Sequence, residues 1–183
     1  MVKAVYLNSV DSPNTEFPAI LNPKVFKIKT YTENYSRNTN GVNMLLSSNG
    51  LNDYIRLSSY YDNDMGNNSF RFGGNYVSRQ VEFDFSLNGT HEIVLDGVSE
   101  KFIVDNVDWY QLGIPDYSLD NISPLRQTVD ISNLGISECI IEDISGNELL
   151  HFIAVRRDAD SAVGFYFENI GFLTSPSYSC YSI

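Results

Sequence analysis

Two histidines, two cysteines and 23 carboxylates are the side chains of this 183-residue chain best equipped for proton transfer, nucleophilic attack or metal binding. Either histidine could serve as a general base, because imidazole titrates near neutral pH. His151 sits inside Leu149–Val155, apolar at almost every position, which is the setting of a hydrogen-bonded histidine in a core or between sheets. His91 follows the turn signal Asn88-Gly89 and is expected to be exposed. Cys139 and His151 fall on strands flanking one expected hairpin, so a thiol–imidazole pair is open to them; the other reading of Cys139 is a small buried hydrophobe. Cys180 could bridge to Cys139 only in an oxidising compartment.

Motifs that would turn these groups into an enzyme are missing. The chain has no Gly-Lys-Ser/Thr phosphate loop, no Gly-x-Gly-x-x-Gly and no Gly-x-Ser-x-Gly elbow. His91-Glu92 opens like a zinc-protease helix, but position 95 is leucine where the second histidine belongs. The carboxylate pairs Glu82/Asp84, Asp105/Asp108, Glu142/Asp143 and Asp158/Asp160 arise by chance at this acid content and select no glycosidase geometry. Asp62-Asn63-Asp64-Met65-Gly66-Asn67-Asn68 resembles half a calcium loop, with Asp62 and Asp64 as its candidate ligands. Its spacing is one residue short and the distal glutamate is absent, so the expectation is a metal-free polar turn. Asn-x-Ser/Thr triplets at Asn34, Asn67, Asn88 and Asn121 match chance frequency and imply no glycosylation. No catalytic residue, metal or cofactor is therefore assigned.

Charge is uneven: residues 1–90 balance eight bases against eight acids, while residues 91–183 set four bases against fifteen acids and carry the whole net charge of −11. Without a basic stripe to displace counterions, nucleic acid is excluded as a partner, and an anionic membrane is disfavoured likewise. The acids interleave with apolar residues, as on half-buried strands with a solvated face. No apolar run reaches the ~18 residues of a membrane helix, and the start offers too short an apolar stretch for a signal peptide.

The elements that must position these groups are strands. Asn at 19 and Ser at 21 positions disfavour helix interiors, while 12 Tyr and 11 Phe fit pleated surfaces. Val25–Thr32 alternates Phe26, Ile28 and Thr30 against Lys27 and Lys29. Asn49-Gly50 is expected to pair 42–48 with 51–57, and Asn88-Gly89 and Asp96-Gly97 to fold 77–85, 91–95 and 98–104 into a meander. Residues 62–75 read as a polar loop interrupted by Ser69-Phe70-Arg71-Phe72, Ser123-Pro124 as the start of a short helix, and Ser145-Gly146-Asn147 as the turn between Ile136–Glu142 and Leu149–Arg157. Ala162–Glu168 points Val163, Phe165 and Phe167 inward. The fold expected is all-β: an antiparallel β-sandwich or jelly roll of about ten to twelve strands, with an extended N-terminal arm at 1–24, the sandwich at 25–169 and a tail at 170–183.

Three prolines (Pro13, Pro18, Pro23) in the arm, few lysines, and abundant Asn, Ser and Tyr on a β-sandwich resemble bacteriophage virion structural proteins such as tail, baseplate, fibre-base or capsid-associated components. The resemblance spans the chain, contains no family motif and transfers no site residue. It implies a non-enzymatic assembly protein of the virion, made in the host cytoplasm, whose partners are further copies of itself or other virion proteins. Arm and tail residues Tyr6, Leu7, Phe17, Ile20, Phe172 and Tyr178 are the candidate interface, since the prolines and serines deny these segments a regular place in their own sheet. The alternative is a carbohydrate-binding, lectin-like sandwich, for which Tyr60, Tyr61, Asn63, Trp109 and Tyr110 offer rings and an amide to a glycan.

Overall fold

Alternation along Val25–Thr32 does produce a strand with one dry face: in the computed structural model Phe26, Ile28 and Thr30 are buried and Lys29 is exposed. The structure describes residues 2–7, 20–21, 23–32, 43–48, 57–62, 67–74, 77–82, 89–111, 118–119, 122–127, 134–175 and 178–182, with side chains over 2–6, 20, 23–31, 89–108, 135–175 and 178–181. Among these there is no helix. In chain order the strands are β1 (Val2–Leu7), β2 (Ile20–Leu21), β3 (Val25–Thr32), β4 (Asn43–Ser48), β5 (Leu57–Asp62), β6 (Asn67–Gly74), β7 (Val77–Glu82), β8 (Gly89–Asp96) and β9 (Lys101–Val104). They continue as β10 (Val107–Gln111), β11 (Ser118–Leu119), β12 (Ile122–Gln127), β13 (Leu134–Glu142), β14 (Glu148–Arg156), β15 (Val163–Phe167), β16 (Gly171–Thr174) and β17 (Tyr178–Ser182).

All pairing is antiparallel. Ten strands form one sheet in the order β10-β9-β8-β3-β13-β14-β15-β16, with β1 joined to β13 and β17 to β1; β12-β4-β5-β6-β7 form a second sheet, and β11 pairs β2. The all-β antiparallel architecture is as the sequence indicates, although the strands are more numerous. β13 organises the large sheet. One of its edges pairs β3 from Leu134↔Thr32 to Glu142↔Val25. Its other edge is shared: Glu138–Glu142 pair with β14, while Ile136 pairs with Val5 of β1. The register shifts between Ile136 and Glu138, and a bulge there lets the strand bend as its neighbour changes.

Gly135 also permits this fork, because a Cβ at that position would lie 2.9 Å from both the Ala4 Cβ and the Val5 carbonyl oxygen. Beyond the fork, Tyr178 of β17 meets Phe165 of β15 edge-on at 5.4 Å, so the β1–β17 pair closes over β14 and β15. The core enclosed includes Val5, Phe26, Ile28, Ile93, Leu95, Phe102, Ile136, Cys139, Ile141, Phe152, Phe165 and Phe167. Phe152 stands at 5.0 Å from Phe165 and 4.9 Å from Phe167, the spacing of tilted and edge-on aromatic pairs.

Several local readings need correction. β7 pairs β6 in the smaller sheet while β8 pairs β3 and β9, so Asn88-Gly89 does not fold 77–85 onto 91–95 as a hairpin. Asp96-Gly97 is not a two-residue turn: Asp96 opposes Lys101 across a four-residue loop in which Glu100 takes the positive φ of 57°. Asp96 holds that loop by accepting from the Val98 and Ser99 N–H groups. β4 pairs β5 at 57–62, with the 51–56 segment outside the described residues. Residues 67–74 are a strand, built around the Ser69-Phe70-Arg71-Phe72 interruption of the expected polar loop. Ser123-Pro124 opens no helix but lies in β12, an edge strand, where a residue that cannot donate to the ladder is tolerated. The arm and tail also differ from expectation: Val2–Leu7 and Tyr178–Ser182 pair with each other inside the chain's own sheet, from Val2↔Ser182 to Leu7↔Tyr178.

Candidate functional site

The two histidines exchange the environments their sequences suggest. His91 is buried, 6% exposed, and its Nδ1 lies 2.7 Å from the Asp105 Oδ2. Asp105 Oδ1 accepts from the Glu92 N–H at 2.9 Å, and the Asp105 N–H donates to the Glu92 carbonyl at 2.9 Å. Asp105 and Asn106, at φ 50° and 65°, form the two-residue turn between Val104 and Val107. Asp and Asn tolerate this left-handed backbone. That signal was present in the sequence, and it identifies Asp105 as a clasp tying the β9–β10 hairpin to β8. Asp105→Ala is expected to lower stability by about 1–3 kcal/mol, by withdrawing the acceptor from a buried imidazole and a backbone N–H, and urea titration checks it.

His151 is instead half-exposed, on the outer face of β14. Register explains its partners. Lys29 faces Glu138 directly, and His151 faces Ile140, one step diagonal from Glu138. The result is a chain of contacts across three strands. Lys29 Nζ donates to Glu138 Oε2 at 2.6 Å, His151 Nε2 lies 3.1 Å from Glu138 Oε1, and His151 Nδ1 lies 3.6 Å from Glu148 Oε2. The Lys29 bond is the main cause holding the Glu138 carboxyl below its usual range, against the opposing effect of desolvation, with His151 adding to the shift. A lowered acid adds stability that is fully present above the ordinary glutamate value of ~4.3 and is lost as pH falls through the lower folded-state value. Glu138→Gln is therefore expected to flatten the acid limb of a stability–pH curve below about pH 4.3, read by thermal melts.

Cys139 cannot join this cluster. It faces Phe152 on the core side of the sheet, whereas the next residues along, Ile140 and His151, face outward. Burial pushes its thiol well above the ordinary value, so it is a small core hydrophobe. Cys180 is a thiol outside any disulfide, with Arg156 Nη2 2.9 Å from its Sγ. Alkylation at pH 8 is expected to spare Cys139 until the protein is unfolded, which peptide mass mapping would show.

His151 also lines a cavity of about 210 Å³ at the start of β14 and the β15–β16 turn. Its apolar walls are Ile20, Leu149, Leu150, Phe167 and Ile170; Glu148, Glu168 and Asn169 complete it.

Of the other sequence candidates, Ile20 and Tyr178 are buried in the chain's own core and Tyr6 stacks on Tyr181 at 4.6 Å. Phe172 lies under the Arg157 guanidinium, 4.7 Å from the ring centroid. Leu7 lies on β1, and Phe17 is outside the described residues. Tyr60, Tyr61 and Asp62 lie on β5, and Trp109 and Tyr110 on β10, all with side chains outside those described, while Asn63 and Asp64 fall outside the described residues altogether. Among the described residues no group of three or more His, Cys, Asp and Glu is placed to hold a metal ion. Compared with known proteins, the chain matches no family model and no curated sequence.

Proposed function

We propose that this chain is a non-enzymatic structural protein that works through contacts between copies of itself, in the manner of a bacteriophage virion component. The observation carrying this reading is the outer face of β14 and β15. Leu149–Val155 has the apolar run of a strand covered on both sides, yet only Phe152 is fully buried and Ile153 is 39% exposed. Ile153 faces Tyr166, 47% exposed, which in turn faces Phe172, so three strands present one apolar row to the outside. Two of the charged pairs near this row are internal, Lys27 with Glu142 and Lys29 with Glu138, on a chain of net charge −11. An exposed apolar row of this kind is where another subunit can approach.

Sedimentation of the chain over a wide concentration range is the test. Mass is expected to rise above the 20.7 kDa monomer with concentration, more strongly in added salt. The double variant Ile153→Lys, Tyr166→Lys is expected to stay monomeric with an unchanged β spectrum. A wild-type chain that stays monomeric throughout overturns the reading, and saturable binding to a glycan array by that monomer would favour the lectin alternative.

A further inference from the structure

Each lysine and arginine whose side chain is described is already engaged. Lys3 meets the Tyr31 hydroxyl, Lys27 Glu142, Lys29 Glu138, Lys101 Asp108, Arg156 the Cys180 sulfur and Arg157 Asp160, and Lys24 has an interaction of its own. The carboxylates around the β14 cavity are left over. Glu168 makes no hydrogen bond or ion pair among the described residues, and Glu148 has only the 3.6 Å approach to His151. Behind them the walls are aliphatic and aromatic: Leu149, Leu150, Phe167, Ile170 and Ile20. A volume of about 210 Å³ falls below the ~300–1,000 Å³ of pockets that enclose drug-sized ligands. It suits a single side chain.

From this we infer that the cavity is a receptor for a lysine or arginine side chain presented by a partner protein. The side chain's methylene stem would lie against Leu149, Phe167 and Ile170, and its charged head would meet Glu148 and Glu168 with the Asn169 amide beside them. Long basic side chains bury their stems and keep their heads at a polar rim, which is the distribution of groups around this cavity. The two carboxylates give the attraction its sign. The apolar walls separate this site from acids lying elsewhere on the surface. The cavity adjoins the Ile153–Tyr166 row through His151 on the outer face of β14, but the inference does not depend on self-association.

The test follows amide resonances of residues 148–151 and 167–170 during titration of the full chain with the capped tripeptide Gly-Arg-Gly, its Gly-Gln-Gly counterpart, and n-butylguanidinium. Saturable shifts confined to those residues are expected with the arginine peptide and not with the glutamine peptide. Glu168→Gln and Glu148→Gln, both exposed substitutions, are each expected to weaken binding by about two- to fivefold, as loss of one solvent-exposed ion pair does. No saturable shift, or equal shifts with both peptides, overturns the inference. Binding of n-butylguanidinium without the peptide overturns the protein side chain as occupant and leaves a site for a free alkyl cation.

Discussion

Removing residues 1–7 is expected to unfold the protein or to lower its melting temperature by well over 10 °C. β1 fills the place along β13 that β14 vacates, through Val5↔Ile136, and it is the strand on which β17 pairs. Ala4 and Val5 are fully buried. Their loss would also uncover Ile136 and Tyr178, and would end the Tyr6–Tyr181 stack. Each large apolar side chain returned to water forfeits about 1.5–3 kcal/mol, so three or four such losses approach the ~5–15 kcal/mol by which folded proteins are stable at all. At roughly 2–4 °C per kcal/mol for a chain of this size, the shift is large enough to read directly from circular dichroism melts. An unchanged melt would show that the core closes without β1 and would free that strand to pair with another subunit.

Gly164→Ala is the second substitution with a large expected effect. Gly164 faces Thr174 across the β15–β16 pair. A Cβ there would sit 2.0 Å from the Leu173 carbonyl oxygen and 3.0 Å from the Thr174 Cα. Both atoms belong to the backbone, so no neighbouring rotamer can relieve the overlap and trimming a side chain would not rescue it. β16 must move away, taking with it Leu173, which packs on the core, and Phe172 beneath Arg157. Overpacking ordinarily costs about 1–3 kcal/mol, and a clash with backbone belongs at the upper end or above it. Fast amide exchange through residues 171–174, with β3 and β8 still protected, is the expected signature. Wild-type protection at those amides would show that the hairpin accommodates the methyl group.

Local alternation proved readable wherever a strand has one wet face. Phe26, Ile28 and Thr30, or Phe165 and Phe167, point inward as their spacing indicates. The turn at Ser145–Asn147 is where the sequence puts it, with Gly146 at φ 79° and Asp143 accepting from the Ser145 and Asn147 N–H groups. Pairing partners were much less readable. Asn88-Gly89 has the composition of a hairpin turn, but β8 finds its neighbour in β3, far earlier in the chain. The histidines show the same limit. His151 follows one apolar residue after another, which hides the phase of the strand, and only the register with β13 reveals that it faces outward beside Glu138. Lys29 and Glu138 lie 109 residues apart. Nothing local to either one announces the other. The cavity likewise gathers Ile20, the start of β14 and the β15–β16 turn, three segments joined only by the finished fold.

The sharing of β13 between β1 and β14 also governs when the molecule can be completed. Val5 pairs Ile136 about 130 residues downstream, so β1 has no partner in the sheet until β13 has been made. At about 5–20 residues per second, a nascent chain carries Ala4, Val5 and Tyr6 unpaired for on the order of ten seconds. β3 waits less, because β8 reaches it first, and β8 with β9 and β10 can grow on it while translation continues. Such a long-range closure makes for slow folding and a lengthy exposure of apolar strand. The growing polypeptide is thus most vulnerable to misassociation before residues 134–142 emerge, and a chaperone would act to greatest effect in that interval.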